Sequence, residues 1–156
     1  MEFRLTADDA ALVGPGDWIG RPTIVFFGFT WCPDICPTTL AGISGWLDRL
    51  GPDADRLNVA FITVDPERDT PAVLADYVSA FHPRIVGYAG TQAELARAAR
   101  GFAVEYEKVW SGPDYTMNHS TGVLLYRDDG RFAGTIDPHE PAEFAEPKLR
   151  RILGKL

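Results

Sequence analysis

The sequence predicts an α/β sandwich with a mixed sheet, and three features carry that prediction. Two apolar runs, residues 23–29 and 57–64, lack the polar alternation of a half-exposed strand, as expected for central parallel strands covered on both faces. Each is followed by apolar residues at helical spacing, the repeating strand-then-helix unit of a parallel sheet. Towards the C-terminus, Arg127-Asp128-Asp129-Gly130 reads as a hairpin turn, because the Asp-Gly pair tolerates positive φ, so the sheet closes on an antiparallel edge. The 156 residues, 46% hydrophobic and 24% charged, predict one compact domain over residues 1–156 with a substantial core and little room for a second.

Taken in order, residues 3–6 are expected as a short edge strand, and Val13-Gly14-Pro15-Gly16-Asp17 supplies turn residues ahead of Trp18 and Ile19. The first central strand ends at the only two cysteines of the chain, Cys32 and Cys36. Pro37 then stands at a helix-start position, Leu40, Ile43, Trp46, Leu47 and Leu50 recur at helical spacing, and Gly51-Pro52 stops the run. The second central strand gives way to the polar segment Asp65-Pro66-Glu67-Arg68-Asp69. Thr70-Pro71 opens a helix whose buried face carries Leu74, Tyr77, Val78 and Phe81. A short strand is expected over residues 85–88. Thr91-Gln92-Ala93-Glu94 has the form of a capping box, and Leu95, Ala98 and Ala99 carry its helix on to Gly101. Residues 104–110 alternate like a strand, and Ser111-Gly112-Pro113-Asp114 makes a loop. Met117-Asn118-His119-Ser120-Thr121-Gly122 leads into a strand at 123–126, and residues 131–136 return antiparallel after the hairpin turn. A last helix carries Leu149, Ile152, Leu153 and Leu156 and is expected to start near Pro147.

Open α/β sheets bind ligands at the carboxyl ends of their strands, where Cys32 falls. With Cys36 in the first helical turn and Cys32 just before it, the 3.6-residue period stacks the two sulfurs on one face. That spacing serves a disulfide or a shared metal ion equally. Either use needs thiolate, which the free N–H groups and positive dipole end of a helix N-terminus favour by lowering a thiol pKa. Two cysteines are too few to staple a scaffold, and a domain of this size needs no staple, so the pair reads as functional. His119 precedes its strand, and an antiparallel placement of that strand brings it to the same edge of the sheet. The net charge of -7, with both signs interspersed, leaves no basic stripe for phosphates and predicts no nucleic-acid partner. No apolar run approaches the ~20 residues of a membrane span, and Met1-Glu2-Phe3-Arg4 lacks the build of a signal peptide.

Three separated blocks carry a family resemblance: Phe26-Phe27-Gly28-Phe29-Thr30-Trp31-Cys32-Pro33-Asp34-Ile35-Cys36-Pro37-Thr38, Val64-Asp65-Pro66-Glu67-Arg68-Asp69-Thr70-Pro71, and Asn118-His119-Ser120. Over nearly its whole length the chain resembles the Sco/SenC copper proteins, a branch of the thioredoxin-like fold. The resemblance implies a thioredoxin-like mixed central sheet flanked by helices. It also implies a Cu(I)/Cu(II) site of two cysteines and a distal histidine, which by position are Cys32, Cys36 and His119. The function implied is that of a metallochaperone that delivers copper to, or assembles, the binuclear CuA centre of cytochrome c oxidase. Its partners are then the oxidase subunit carrying CuA, together with other copper chaperones or thiol reductants. The place implied is the periplasmic face of a membrane or the mitochondrial intermembrane space, with an N-terminal anchor. Two departures stand out. Asn118 replaces the aspartate that the family usually shows before the histidine, which puts a tuning carboxylate in question. The sequence shows no anchor, so Met1 is expected to mark a shortened chain.

The same cysteines support a second function, thiol–disulfide exchange, including reduction of the cysteines of the CuA subunit before metal arrives. Thioredoxin-like reductases resemble one another in a CxxC motif and a proline just before the facing strand, whereas this chain has CxxxC and His119-Ser120 there. Cys36-Pro37-Thr38 prompts comparison with the peroxiredoxin signature PxxxTxxC, but the matching positions hold Phe29 and Pro33, so it fails twice. Thiolates are soft ligands that suit Cu(I) and Zn(II), and imidazole suits copper beside them. His82, before Pro83, and His139, after Pro138, read as hydrogen-bonded structural histidines, and Met117 as packing. Asp65 is a neighbour of the site or a docking charge, Asp69 and Thr70 are helix-start residues, and Asp34 is a turn or cap residue. Trp31 shields the metal, meets a partner or packs in the core.

Overall fold

The computed structural model describes residues 2–154. Its elements are β1 (Leu5–Ala7), β2 (Leu12–Val13), β3 (Thr23–Gly28), α1 (Ile35–Leu50), β4 (Asn58–Thr63), α2 (Pro71–Ser79), β5 (Ile85–Ala89), α3 (Gln92–Phe102), β6 (Tyr106–Ser111), β7 (Asp114–His119), β8 (Val123–Tyr126), β9 (Phe132–Ile136) and α4 (Ala142–Ile152). Among the described residues, seven strands form one mixed sheet in the order β2-β1-β5-β4-β3-β8-β9, while β6 and β7 pair as a separate ribbon. The centre is parallel, β3 to β4 and β4 to β5, and β8 and β9 return antiparallel beside β3.

The two central strands are apolar between their ends because helices cover both faces. Phe26 meets Phe61, which in turn meets Tyr77 of α2; Phe27 points the opposite way and packs edge-on against Phe102 of α3. Every residue of β3 is buried. Local chemistry sets the helix starts. Thr70 caps α2 by accepting the Val73 N–H, with Pro71 at the first helical position. The capping box closes at both ends, Glu94 N–H to Thr91 Oγ1 at 3.1 Å and Thr91 N–H to Glu94 Oε1 at 2.8 Å.

Three expectations differ from the fold. Residues 3–6 are not an edge strand: β1 pairs with β2 on one side and β5 on the other, and the two-residue β2 takes the edge. The last helix begins at Ala142, so Pro147 lies inside it. A proline there lacks the N–H that would bond back to Glu143, and its exposed position leaves that carbonyl to water. The helix is held instead by Ala145, Leu149 and Ile152, buried on the face that packs on α1. Finally, residues 114–119, left without an element in the sequence, form β7. Tyr115, Met117 and His119 alternate inward there against exposed Asp114, Thr116 and Asn118, a period of two masked by their polar character. Leu156, expected on the last helix, and Met1 lie outside the described residues. Among the described residues no helix is long and apolar enough to cross a membrane.

Phe27→Ala removes the ring that joins β3 to α3 and leaves a cavity, so it is expected to destabilise the fold by about 3–5 kcal/mol. Urea unfolding of the two proteins measures this, and an unchanged midpoint would contradict the two-sided packing.

Candidate metal centre

The centre is assembled at the carboxyl end of β3. The strand finishes on Gly28, and a Cβ there would lie 2.7 Å from Cys36 Sγ and 2.8 Å from the Phe61 ring. Glycine at this position is what lets the sulfur reach the strand. Beyond it, the cysteine loop is tied down by Asp69, which is fully buried. Its carboxylate accepts the Thr30 N–H at 3.0 Å and the hydroxyls of Thr30 and Thr63. Asp69 thus joins the loop to the end of β4; the capping of α2 falls to Thr70 alone.

Cys36 is the second residue of α1, and its N–H points at Cys32 Sγ, 3.4 Å away. The donors of a helix N-terminus therefore face sulfur, as expected. His119 arrives from the end of β7. Because β8 lies antiparallel to β3, pairing Leu124 with Val25, the chain just before β8 falls at the carboxyl end of β3. The His119 Nδ1 lies 2.8 Å from the Ser120 carbonyl, which can only accept, so the proton sits on Nδ1. That leaves the Nε2 lone pair facing Cys36 Sγ at 3.6 Å. Phe29 stands edge-on to the imidazole at 90°, with ring centroids 5.8 Å apart. The two sulfurs and the imidazole nitrogen all lie within 4.8 Å of one another. A cleft of about 310 Å³, lined by Phe29, Pro33, Met117 and Asn118 among others, opens on Cys32 and His119.

Burial dominates the electrostatics. Cys36 is 0% exposed, and desolvation pushes its thiol far above the ordinary value of 9.0. The Phe29 backbone hydrogen bond opposes this, while the neighbouring Cys32 sulfur and the Asp69 carboxylate add to it. The expected lowering at a helix N-terminus therefore does not hold for Cys36, because a half-charge cannot replace the hydration that a fully enclosed thiolate loses. Burial also lowers the His119 pKa, against the bond to Ser120, and keeps the imidazole neutral and available as a ligand.

Several residues fall differently from their sequence reading. Trp31 is 61% exposed, which rules out core packing. Asn118 is exposed, its amide 3.5 Å from Glu107, and it lines the same cleft as Cys32 and His119. Asp65 is buried and bonded to Arg68 and to the Tyr115 hydroxyl. Asp34 occupies the cap position of α1 without a side-chain cap bond. Met117 is buried packing, as expected. His82 accepts the Arg84 N–H at 3.0 Å, and His139 is exposed; neither joins the cluster. Gly28, Arg68 and Tyr115 were not singled out at all. Their only sequence signal is position within or near the cysteine, polar and histidine blocks.

Comparison with known proteins agrees with this geometry. The family model described as SCO1/SenC matches residues 1–154. The mitochondrial SCO2 homologue of Mus musculus is 38% identical over 142 residues, covering 86% of this chain and 54% of its own. Mitochondrial SCO1 of Saccharomyces cerevisiae is 39% identical over 122 residues, covering 76% and 41%. The chain thus spans about half the length of the curated relatives it matches. Among solved structures, copper-bound ScoI of Bradyrhizobium japonicum superposes with a TM-score of 0.91 at 41% identity, covering 97% of this chain and 98% of that one. Copper-bound yeast Sco1 superposes at 0.90 and 32% identity, covering 100% and 88%. The expected thioredoxin-like fold, a mixed central sheet flanked by helices, is thereby established.

Two outcomes follow from the burial of the cluster. Gly28→Ala is expected to destabilise the protein by about 1–3 kcal/mol through overpacking against Cys36 and Phe61, measured by denaturant unfolding. The metal-free protein should also lose stability at both ends of the pH range. As pH rises past 9.0, the unfolded Cys36 thiol ionises while the folded one does not. As pH falls below 6.5, the unfolded imidazole of His119 takes up a proton that the buried ring resists. Urea midpoints across that range should lose the alkaline arm in Cys36→Ala and the acid arm in His119→Ala; arms that persist in the variants would assign the dependence elsewhere.

Proposed function

The chain belongs to the SCO1/SenC family, and from that premise we propose that it is a copper metallochaperone, holding its cargo on Cys32, Cys36 and His119. The observation that carries this is the convergence of two thiols and one imidazole nitrogen within 4.8 Å, from positions 83 residues apart at the widest hydrogen-bonded pair. Two soft sulfurs suit Cu(I), and an added imidazole suits Cu(II), so the donor set matches both oxidation states of the metal. Taking up copper displaces the thiol protons, which makes apparent affinity rise with pH. Copper leaves by ligand exchange through the cleft, and no covalent product forms.

The recipient in this proposal is the CuA site of cytochrome c oxidase, on the oxidase subunit that carries it, with other copper chaperones or thiol reductants as further partners. The domain, residues 1–156, would work at the periplasmic face of a membrane or in the mitochondrial intermembrane space. The free thiols of Cys32 and Cys36 also favour a second reading. Their oxidation to a disulfide would pass two electrons and two protons to an acceptor disulfide, making the chain a thiol–disulfide oxidoreductase.

Copper titration of the reduced protein separates the two. One Cu(I) per chain is expected, lost in Cys32→Ser and Cys36→Ser, with His119→Ala weakening Cu(II) binding by at least about tenfold and altering its spectrum. Absence of a stoichiometric site, or a His119→Ala spectrum identical to the parent, would sink the copper reading. Rapid turnover of a disulfide substrate without copper binding would favour the second.

A further inference from the structure

The ribbon that carries His119 is not hydrogen-bonded into the main sheet. Met117 gives it apolar packing, and its directional contacts run to the segment between β4 and α2, with Arg68 at their centre. Arg68, in the segment between β4 and α2, pairs through Nε with the buried carboxylate of Asp65 and donates from Nη1 to the Tyr115 carbonyl at 3.2 Å. Its Cζ lies over two rings, 3.8 Å from the centre of Tyr115 and 4.7 Å from that of Trp31. The Tyr115 hydroxyl closes the ring by donating to the second Asp65 oxygen at 2.7 Å. Asp114 adds a carboxylate 3.7 Å from the guanidinium, and Lys108 ties the same ribbon to Glu67 at 2.8 Å.

Both ends of this arrangement lead to the metal centre. Trp31 is the residue before Cys32. Tyr115 shares the inward face of β7 with His119, roughly 13 Å along the strand, far enough for a tie there to fix the tilt of the ribbon. We propose that Arg68 and Tyr115 are positioning residues that latch the cysteine loop to the histidine ribbon and so hold the third ligand within reach of the two sulfurs. Arginine is required because the latch sets its cation over two rings while Nε and Nη1 donate in two directions, a combination that a single lysine ammonium does not reproduce. What is positioned rests on the copper reading; the latch itself is a property of the metal-free chain.

Two measurements on Arg68→Lys and Tyr115→Phe test this. In the metal-free protein, amide hydrogen exchange over residues 115–119 should quicken by about tenfold in Arg68→Lys, while β3 stays protected. Loaded with Cu(II), the same variant should lose the nitrogen hyperfine coupling of His119 and about tenfold in Cu(II) affinity, with Cu(I) affinity unchanged. Tyr115→Phe, which keeps the ring but not the hydroxyl, should move both readouts the same way by less. Unchanged exchange overturns the latch, and quickened exchange with intact nitrogen coupling overturns its positioning role. Should the parent itself show no nitrogen coupling, the copper reading falls, and the exchange measurement still decides the latch.

Discussion

The centre depends on a sulfur from which water is excluded. Cys36, in the first turn of α1, packs against a strand that must be glycine at position 28 to admit it, with the Phe61 ring beside the sulfur. Enclosure keeps the thiol protonated and makes a bare thiolate there costly. It also explains why a soft cation suits the site: the metal replaces the proton and supplies the charge that the surroundings withhold. Burial keeps His119 neutral as well, so its Nε2 lone pair is free without loss of a proton.

Around this sulfur, the fold brings together pieces that are distant in the chain. Asp69 holds the cysteine loop to the end of β4 through three hydrogen bonds. The antiparallel return of β8 beside β3 delivers His119 to the same edge. Arg68, its Cζ over the rings of both Trp31 and Tyr115, spans the two. The residues between β4 and α2 therefore serve both halves of the centre, which accounts for a polar run where the chain would otherwise need only a turn and a helix cap.

Asn118 illustrates how alternation sorts neighbours. One residue from His119, it lines the same cleft but is exposed and turned towards Glu107. The three groups that converge, two sulfurs and one imidazole nitrogen, include no atom of residue 118.

Much of this protein is written locally. Strand and helix periods, the caps at Thr70 and Thr91 and the four-residue cysteine spacing each involve groups a few positions apart, so chain order suffices to read them. His119 was placed by a motif and by the strand that follows it, again from nearby residues. The polar strand β7, the start of α4 ahead of Pro147, the inward carboxylate of Asp69 and the placement of Arg68 were not legible in this way. Each depends on what packs opposite, tens of residues away. The raised pKa of Cys36 belongs with them: a helix N-terminus is a local feature that argues for thiolate, but solvent exclusion is a property of the assembled core, and here exclusion is the stronger effect.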